Sequence, residues 1–244
     1  MVLMELYHLF LGRHVVGSDN IFHKLRAKGK NAKKREHEKK MPYPKFLIVC
    51  EDTVSGYHYL IQAVNHYQLA TANFCIVGLG QDPLNLVLEA ERRYESEKAS
   101  IRPEFDIVFC VFDRDTHNTY YPALSKIKSL NKKMGITEQD KEVFIAIDSD
   151  PCFEIWLMLH YVYTTKVYTP SRNKSAANNV VSDLKGHIKD YDKSAKTVFN
   201  TTHGKLSDAF VNASKLQTYC TDHGVSTPCT KMNVLMEFIS TLKQ

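Results

Sequence analysis

No apolar run in this 244-residue chain approaches the ~20 residues that a bilayer-spanning helix needs. Its six cysteines form no Cys-x-x-Cys pair, which argues against a zinc ribbon. Its ten glycines build no Walker-type phosphate loop, and Gly78-x-Gly80 is too short for a dinucleotide fingerprint. No Ser-His-Asp order of a hydrolase is visible, and no internal repeat. The N-terminal MVLMELYHLFLGRH is apolar but has neither a basic stretch before it nor a small-residue cleavage site after it. It reads as a short local helix, or as residues ahead of the domain start, and not as a signal peptide. Thiols without a secretory signal imply a reducing, cytoplasmic setting. Hydrophobic residues at 43% and charged residues at 24% are ordinary globular usage, which excludes a mostly disordered or fibrous chain. The length suits one α/β domain with a modest appendage.

The net charge of +5 is unevenly placed: residues 24–40 (KLRAKGKNAKKREHEKK) hold nine Lys or Arg against two Glu. The remainder is a near-neutral domain. Two readings of this arm stand. It is a solvated, solubilising segment, or it contacts nucleic-acid phosphates, with Lys33, Lys34, Arg35, Lys39 and Lys40 as the contacts.

Past Pro42 and Pro44 an alternation begins. Short apolar runs at Lys45–Cys50, Phe74–Leu79, Asp106–Phe112 and Val143–Ile147 read as buried parallel strands. Helical spacing fills about 53–68, 83–97 and 120–134, the second opened by Asp82 as N-cap and Pro83 at the first helical position. Pro151 is expected to open a helix through CFEIWLMLHY, capped by Asp150. This alternation predicts an α/β fold with a mainly parallel sheet of about four strands flanked by helices. Residues 164–204 are polar, and helical spacing returns in 205–219 and 229–243. The expected organisation is an N-terminal segment with a basic arm (1–41), an α/β core (42–163) and a mainly helical C-terminal extension packed on it (164–244). Cys50, Cys75 and Cys110 lie in strands and read as small core hydrophobes. Cys220, His223 and Cys229 make only a weak metal pattern.

Ligands of open α/β sheets bind beyond the carboxyl ends of the strands. Here every strand delivers acids to that edge: Glu51-Asp52, Asp82, Asp113-Arg114-Asp115 and Asp148-Ser149-Asp150. Carboxylates sharing a crevice raise one another's pKa unless a hard cation such as Mg²⁺ or Mn²⁺ neutralises them. Asp82 and Asp150 precede proline and read as caps; Asp52 and Asp148 read as turn residues. Asp113 and Asp115, two apart after a buried strand, read as metal ligands. Arg114 offsets their charge or contacts phosphate. Glu154 sits in a helix apolar on every face, where an acid is costly without a partner. It makes a structural salt bridge, or it binds metal or transfers a proton. His117 is a phosphate contact, a proton shuttle or a surface residue. The Trp156–Tyr163 stripe reads as core.

FLIVCED, VGLGQDPLNLV, FDIVFCVFDRDTH and DPCFEIWLMLHY, followed by YDKSAK…DAFVNASKLQ…STPCTKMNVLMEF, resemble the bacterial RloB-like proteins over about residues 24–242. That family in turn resembles the Toprim superfamily of metal-binding α/β domains. The resemblance implies a Toprim/Rossmann-like fold with Glu51, Asp113 and Asp115 as Mg²⁺ (or Mn²⁺) ligands and Glu154 assisting catalysis. It implies a nuclease acting on DNA or RNA, tRNA included, in an anti-phage or restriction-linked locus, with an RloA-like AAA- or ABC-type ATPase as partner. Where the family has a further Glu after the first strand, this chain has Ser55-Gly56-Tyr57, which leaves one or two metals open. A non-catalytic scaffold that binds nucleic acid or the ATPase is the alternative, and a phosphotransferase or nucleotide sensor a third. The helical tail could pair two copies.

Overall fold

Four apolar runs form the strands of a computed structural model that describes residues 44–69, 74–100, 104–114, 117–137 and 140–242. They are β1 (Phe46–Cys50), β2 (Phe74–Gly78), β3 (Ile107–Asp113) and β4 (Phe144–Asp150). Three helices alternate with them: α1 (Ser55–His66), α2 (Pro83–Lys98) and α3 (Tyr120–Lys133). After β4 come α4 (Glu154–Leu159), α5 (Ala176–Leu184), α6 (Val198–Thr202), a single turn of 3₁₀ helix (His203–Lys205), α7 (Leu206–His223), the two-residue strand β5 (Cys229–Thr230) and α8 (Met232–Thr241). The chain divides into two units, 1–41 and 42–244, and the described residues all belong to the second. The basic arm lies outside them.

The sheet order is β2-β1-β3-β4-β5, parallel except for β5. It is an α/β fold with a mostly parallel sheet and a helical C-terminal part. Side chains alternate along β1. Phe46, Ile48 and Cys50 face one core, shared with α1, α4 and the C-terminal helices. Leu47 and Val49 face a second core beneath α2 and α3. A strand covered on both faces must be apolar throughout, and all five residues of β1 are buried. Because α1 covers one face and α3 the other, the chain reverses direction between β1 and β3. That is the topological switch point, the crevice where open α/β sheets bind ligands.

Local signals placed several boundaries. The Asp82 carboxylate accepts from the Leu84 and Asn85 amides, with Pro83 at the first position of α2. The end of α3 is followed by Gly135 at φ 75°. The reading around Asp150 needs correction. β4 runs through Asp148 and Ser149 to Asp150, three residues beyond the predicted end at Ile147, because Ser149 and Asp150 pair with Thr230 and Cys229 of β5. Asp150 is therefore a strand residue and not a helix cap. A cis bond joins it to Pro151, and α4 starts at Glu154. The predicted 229–243 helix likewise gives up its first residues to β5. The polar stretch 164–204, which shows no helical spacing of its own, holds α5 and α6 within the expected mainly helical extension. Among the described residues, no helix is long and apolar enough to cross a membrane.

Trp156 to His160 form core, as expected, while Val162 and Tyr163 are exposed. His160 is buried, with its Nδ1 2.9 Å from the Trp156 carbonyl and Nε2 3.4 Å from the Tyr59 hydroxyl. This places the proton on Nδ1, where it donates to the carbonyl. Burial lowers its pKa from 6.5 to about 4. The unfolded chain therefore takes up a proton as pH falls through this window and the folded chain does not, so acid erodes stability here. At pH 5 the cost is about 2 kcal/mol. In denaturant titrations, His160→Gln is expected to narrow the stability loss between pH 7.5 and pH 5 by about that amount. Parallel losses in both proteins would refute the assignment.

Candidate active site

Tight turns carry the first acids into the switch-point crevice. The Glu51 amide donates to the Val111 carbonyl at 2.8 Å, so β1 and β3 stay paired to the last residue. The loop after β2 closes over this turn: the Leu79 amide donates to the Cys50 carbonyl at 3.0 Å and the Gly80 amide to the Glu51 carbonyl at 2.7 Å. A Cβ on Gly78 would lie 2.8 Å from the Asp52 carbonyl oxygen, so only glycine lets the two loops approach. The resulting cleft holds about 300 Å³ and is lined by Glu51, Asp52, Gln81, Asp82, Asp113, His117 and Phe153 among others.

The structure sorts the acids that sequence grouped together. Asp52 is fully engaged at the start of α1, accepting from the Val54, Gly56 and Tyr57 amides and from the Ser55 hydroxyl at 2.7 Å. Asp82 caps α2. Asp148 accepts from the Tyr120 hydroxyl at 2.6 Å and pairs with Lys231 at 2.7 Å. Asp150 pairs with Arg114 at 2.6 Å. The same guanidinium donates to the Ser226 and Tyr121 hydroxyls, so Arg114 braces β4 and α3 rather than the acids of the cleft.

Glu51, Asp113 and Glu154 remain, from three separate elements. The Asp113 amide donates to Glu51 Oε2 at 2.8 Å, and His117 Nε2 lies 2.9 Å from Glu51 Oε1. Asp113 keeps part of its surface open to the cleft, yet protein encloses it elsewhere. Desolvation, then the charges of Glu154, Glu51 and Asp52, push its carboxyl well above the usual carboxylate range, against a smaller opposing pull from Lys193. Glu154 is completely buried. Its Oε1 accepts from the Tyr191 hydroxyl at 3.0 Å and pairs with Lys193 Nζ at 3.2 Å. Its Oε2 is buried with no hydrogen-bond partner. The salt-bridge reading of Glu154 is therefore right for one oxygen, and the other has no hydrogen-bond partner in the geometry met by the first. Cys152 belongs to the same environment: burial, then the Glu154 and Asp113 charges, raise its thiol well above the ordinary value.

Two members of this group were not singled out from sequence. Tyr191 and Lys193 come from the Tyr-Asp-Lys of the polar stretch, a motif visible in the tail pattern but with nothing local to tie it to an acid 37 residues earlier. Asp115, the remaining predicted ligand, lies outside the described residues, as do Lys33, Lys34, Arg35, Lys39 and Lys40. Among the described residues, no three His, Cys, Asp or Glu side chains gather closely enough to hold a metal ion by themselves. This covers the Cys220, His223 and Cys229 pattern. Cys220 instead donates its thiol to the Pro228 carbonyl, and burial pushes the Cys229 thiol up to about 12.

Residues 46–239 match the RloB-like protein family. The chain belongs to the RloB-like family. The match begins at the first residue of β1 and ends within α8, so it takes in the whole sheet and every acid of the cleft. No curated protein and no solved structure matches this chain.

The described acids are not gathered into a closed ligand cluster, but their donor type is the one a hard divalent cation uses. It is all oxygen, as Mg²⁺ requires. A buried carboxylate oxygen without a donor is costly, and so is an acid repelled by its neighbours; Glu154 Oε2 and Asp113 are of these kinds.

Proposed function

We propose that this RloB-like chain is a Mg²⁺- or Mn²⁺-dependent nuclease of Toprim type. The observation that carries the reading is Glu51 and Asp113 together at the β1/β3 switch point, with the charge of Glu154 acting on Asp113 and one Glu154 oxygen buried without a hydrogen-bond partner. Glu51, Asp113 and the neighbouring Asp115 would hold the ion, with Glu154 behind them. Bound there, Mg²⁺ would polarise the phosphoryl oxygen and favour attack by water. The chain supplies the rest. The Asp113 amide fixes the Glu51 carboxylate, as the rigid placement of a ligand requires. Tyr191 and Lys193 fix Glu154. His117, on the open side of the cleft, orients the other Glu51 oxygen. The basic arm would hold the nucleic-acid backbone, and an ATPase of the RloA-like kind would be the partner in an anti-phage setting.

The test is cleavage of tRNA, single-stranded DNA and duplex DNA with Mg²⁺, Mn²⁺ or EDTA, the ATPase present or absent. Metal-dependent products support a nuclease and identify its substrate class. An absence of products under every condition, partner included, favours the binding scaffold.

A further inference from the structure

We infer that residues 185–205 form the surface that carries a nucleic-acid strand into the acidic cleft. The inference rests on the nuclease reading and names the substrate-binding surface of that site.

Residues 164–205 hold eight Lys or Arg against three Asp, so a second basic segment exists besides the N-terminal arm. Its backbone is pinned at both ends of α4. Beside the start of α4, Lys193 reaches Glu154, and the Lys196 carbonyl accepts from the Gln62 side chain on α1. Beyond the end of α4, the Tyr161 ring stacks on His187, centroids 5.7 Å apart and 26° between planes. Lys205 Nζ sits 5.5 Å over the same Tyr161 ring. Tyr191, Val198 and Phe199 are buried as anchors between these points. The segment therefore runs along α4, and at Lys193 its charge reaches Asp113, which lines the cleft.

What it turns outward is net positive: Lys185, Lys189, Lys193, Lys196 and Lys205 against Asp190 and Asp192, all exposed. Lys185, Lys189 and Lys196 are exposed, and no carboxylate among the described residues forms an ion pair with them. Some basic residues elsewhere are neutralised, Arg92 and Arg93 by Glu89 and Lys126 by Glu91, whereas Lys98, Arg172 and Lys215 are exposed singly on other elements. Lys132 and Lys133 are exposed but close α3, which puts them at the opposite edge of the sheet from the cleft. Lys185 has Asp192 in its field, but exposed lysines outside close ion pairs are the groups that neutralise phosphates and release the counterions condensed on a nucleic acid. The exposed His187 beside Tyr161 adds ring faces on which unpaired bases stack. This combination fits a single strand.

The test uses the full chain with Lys185, Lys189 and Lys196 all changed to Gln, beside a variant with Lys33, Lys34, Arg35, Lys39 and Lys40 changed to Gln. Binding of a fluorescent single-stranded 20-mer, as DNA and as RNA, is measured in EDTA across a salt series. For the Lys185/Lys189/Lys196 variant we expect the slope of log K against log salt to fall by about 2, at roughly 0.7 per lost phosphate contact. We expect affinity near physiological salt to drop about tenfold or more, with Tm unchanged. Wild-type slope and affinity in that variant overturn the inference, and so does an absence of binding by the wild type at low salt. Hydrolysis of a small phosphodiester, bis(p-nitrophenyl) phosphate, keeps the two readings apart. It reports the metal site without the strand, so its loss with binding intact counts against the nuclease and not against this surface.

Discussion

Asp113→Asn is expected to lower metal-dependent cleavage by about 10³-fold or more while raising the thermal stability of the metal-free protein. Both effects have one origin. Asp113 is held among Glu51, Glu154 and Asp52, and its carboxyl is pushed well above the usual range by desolvation first and these charges second. Asn keeps the shape and removes the repulsion. A gain of about 1 kcal/mol corresponds to roughly 2–4 °C in a domain of this size. The sign with pH follows. A carboxyl with a raised pKa gives stability that is present at low pH and lost as pH rises through the folded-state value. The Tm values of wild type and variant should therefore diverge toward neutral pH and converge on acidification. Adding Mg²⁺ should raise the Tm of the wild type more than that of the variant. A variant that cleaves at the wild-type rate would remove Asp113 from the chemistry. A variant that melts lower at pH 7 in EDTA would show that the acid is a structural asset and not a repelled ligand.

Lys193→Met is the second large effect, and it concerns the buried partner acid. Glu154 is completely buried, and Lys193 is its cation at 3.2 Å. Removing one member of such a pair leaves an uncompensated charge inside the protein, which typically costs 3–5 kcal/mol. The Lys193 side chain is 46% exposed, so water shares the solvation and about 2 kcal/mol is the better expectation. Glu154→Gln removes the charge and should rescue much of this loss in the double variant. The double-variant cycle isolates the pair from the packing of the lysine stem. Cleavage should fall in both single variants and stay low in the double, because stability returns while the acid does not. A double variant no more stable than Lys193→Met alone would mean that the lysine acts through something other than Glu154.

The arithmetic of acids at the sheet edge shows how sequence and fold divide the work. The sequence places Glu51, Asp52, Asp82, Asp113, Asp148 and Asp150 near the carboxyl ends of strands, and alternation alone suffices for that. It cannot say which acids are already satisfied. Asp52 and Asp82 are the exceptions, because their contacts lie two to five residues away and so leave a local mark. Asp150 carries the Asp-Pro signature of Asp82 yet lies in a strand. Its partners, Arg114 and Cys229, are 36 and 79 residues away, and no local rule weighs such contacts.

Local periodicity and turn chemistry determined the α/β architecture, strands β1 to β4, helices α1 to α3 and the delivery of Glu51 and Asp113 to one edge. These depend on interactions within a few residues, which a linear pattern encodes directly. Tertiary structure alone decided the antiparallel β5 and the extension of β4 that it causes. It decided that α5 and α6 form within a polar stretch, where few buried residues such as Val180, Leu184 and Phe199 suffice to anchor them on the larger core. It also decided that Tyr191 and Lys193 meet Glu154. Each depends on free energy gained between segments distant along the chain, where burial strengthens a hydrogen bond or an ion pair that water would otherwise compete away.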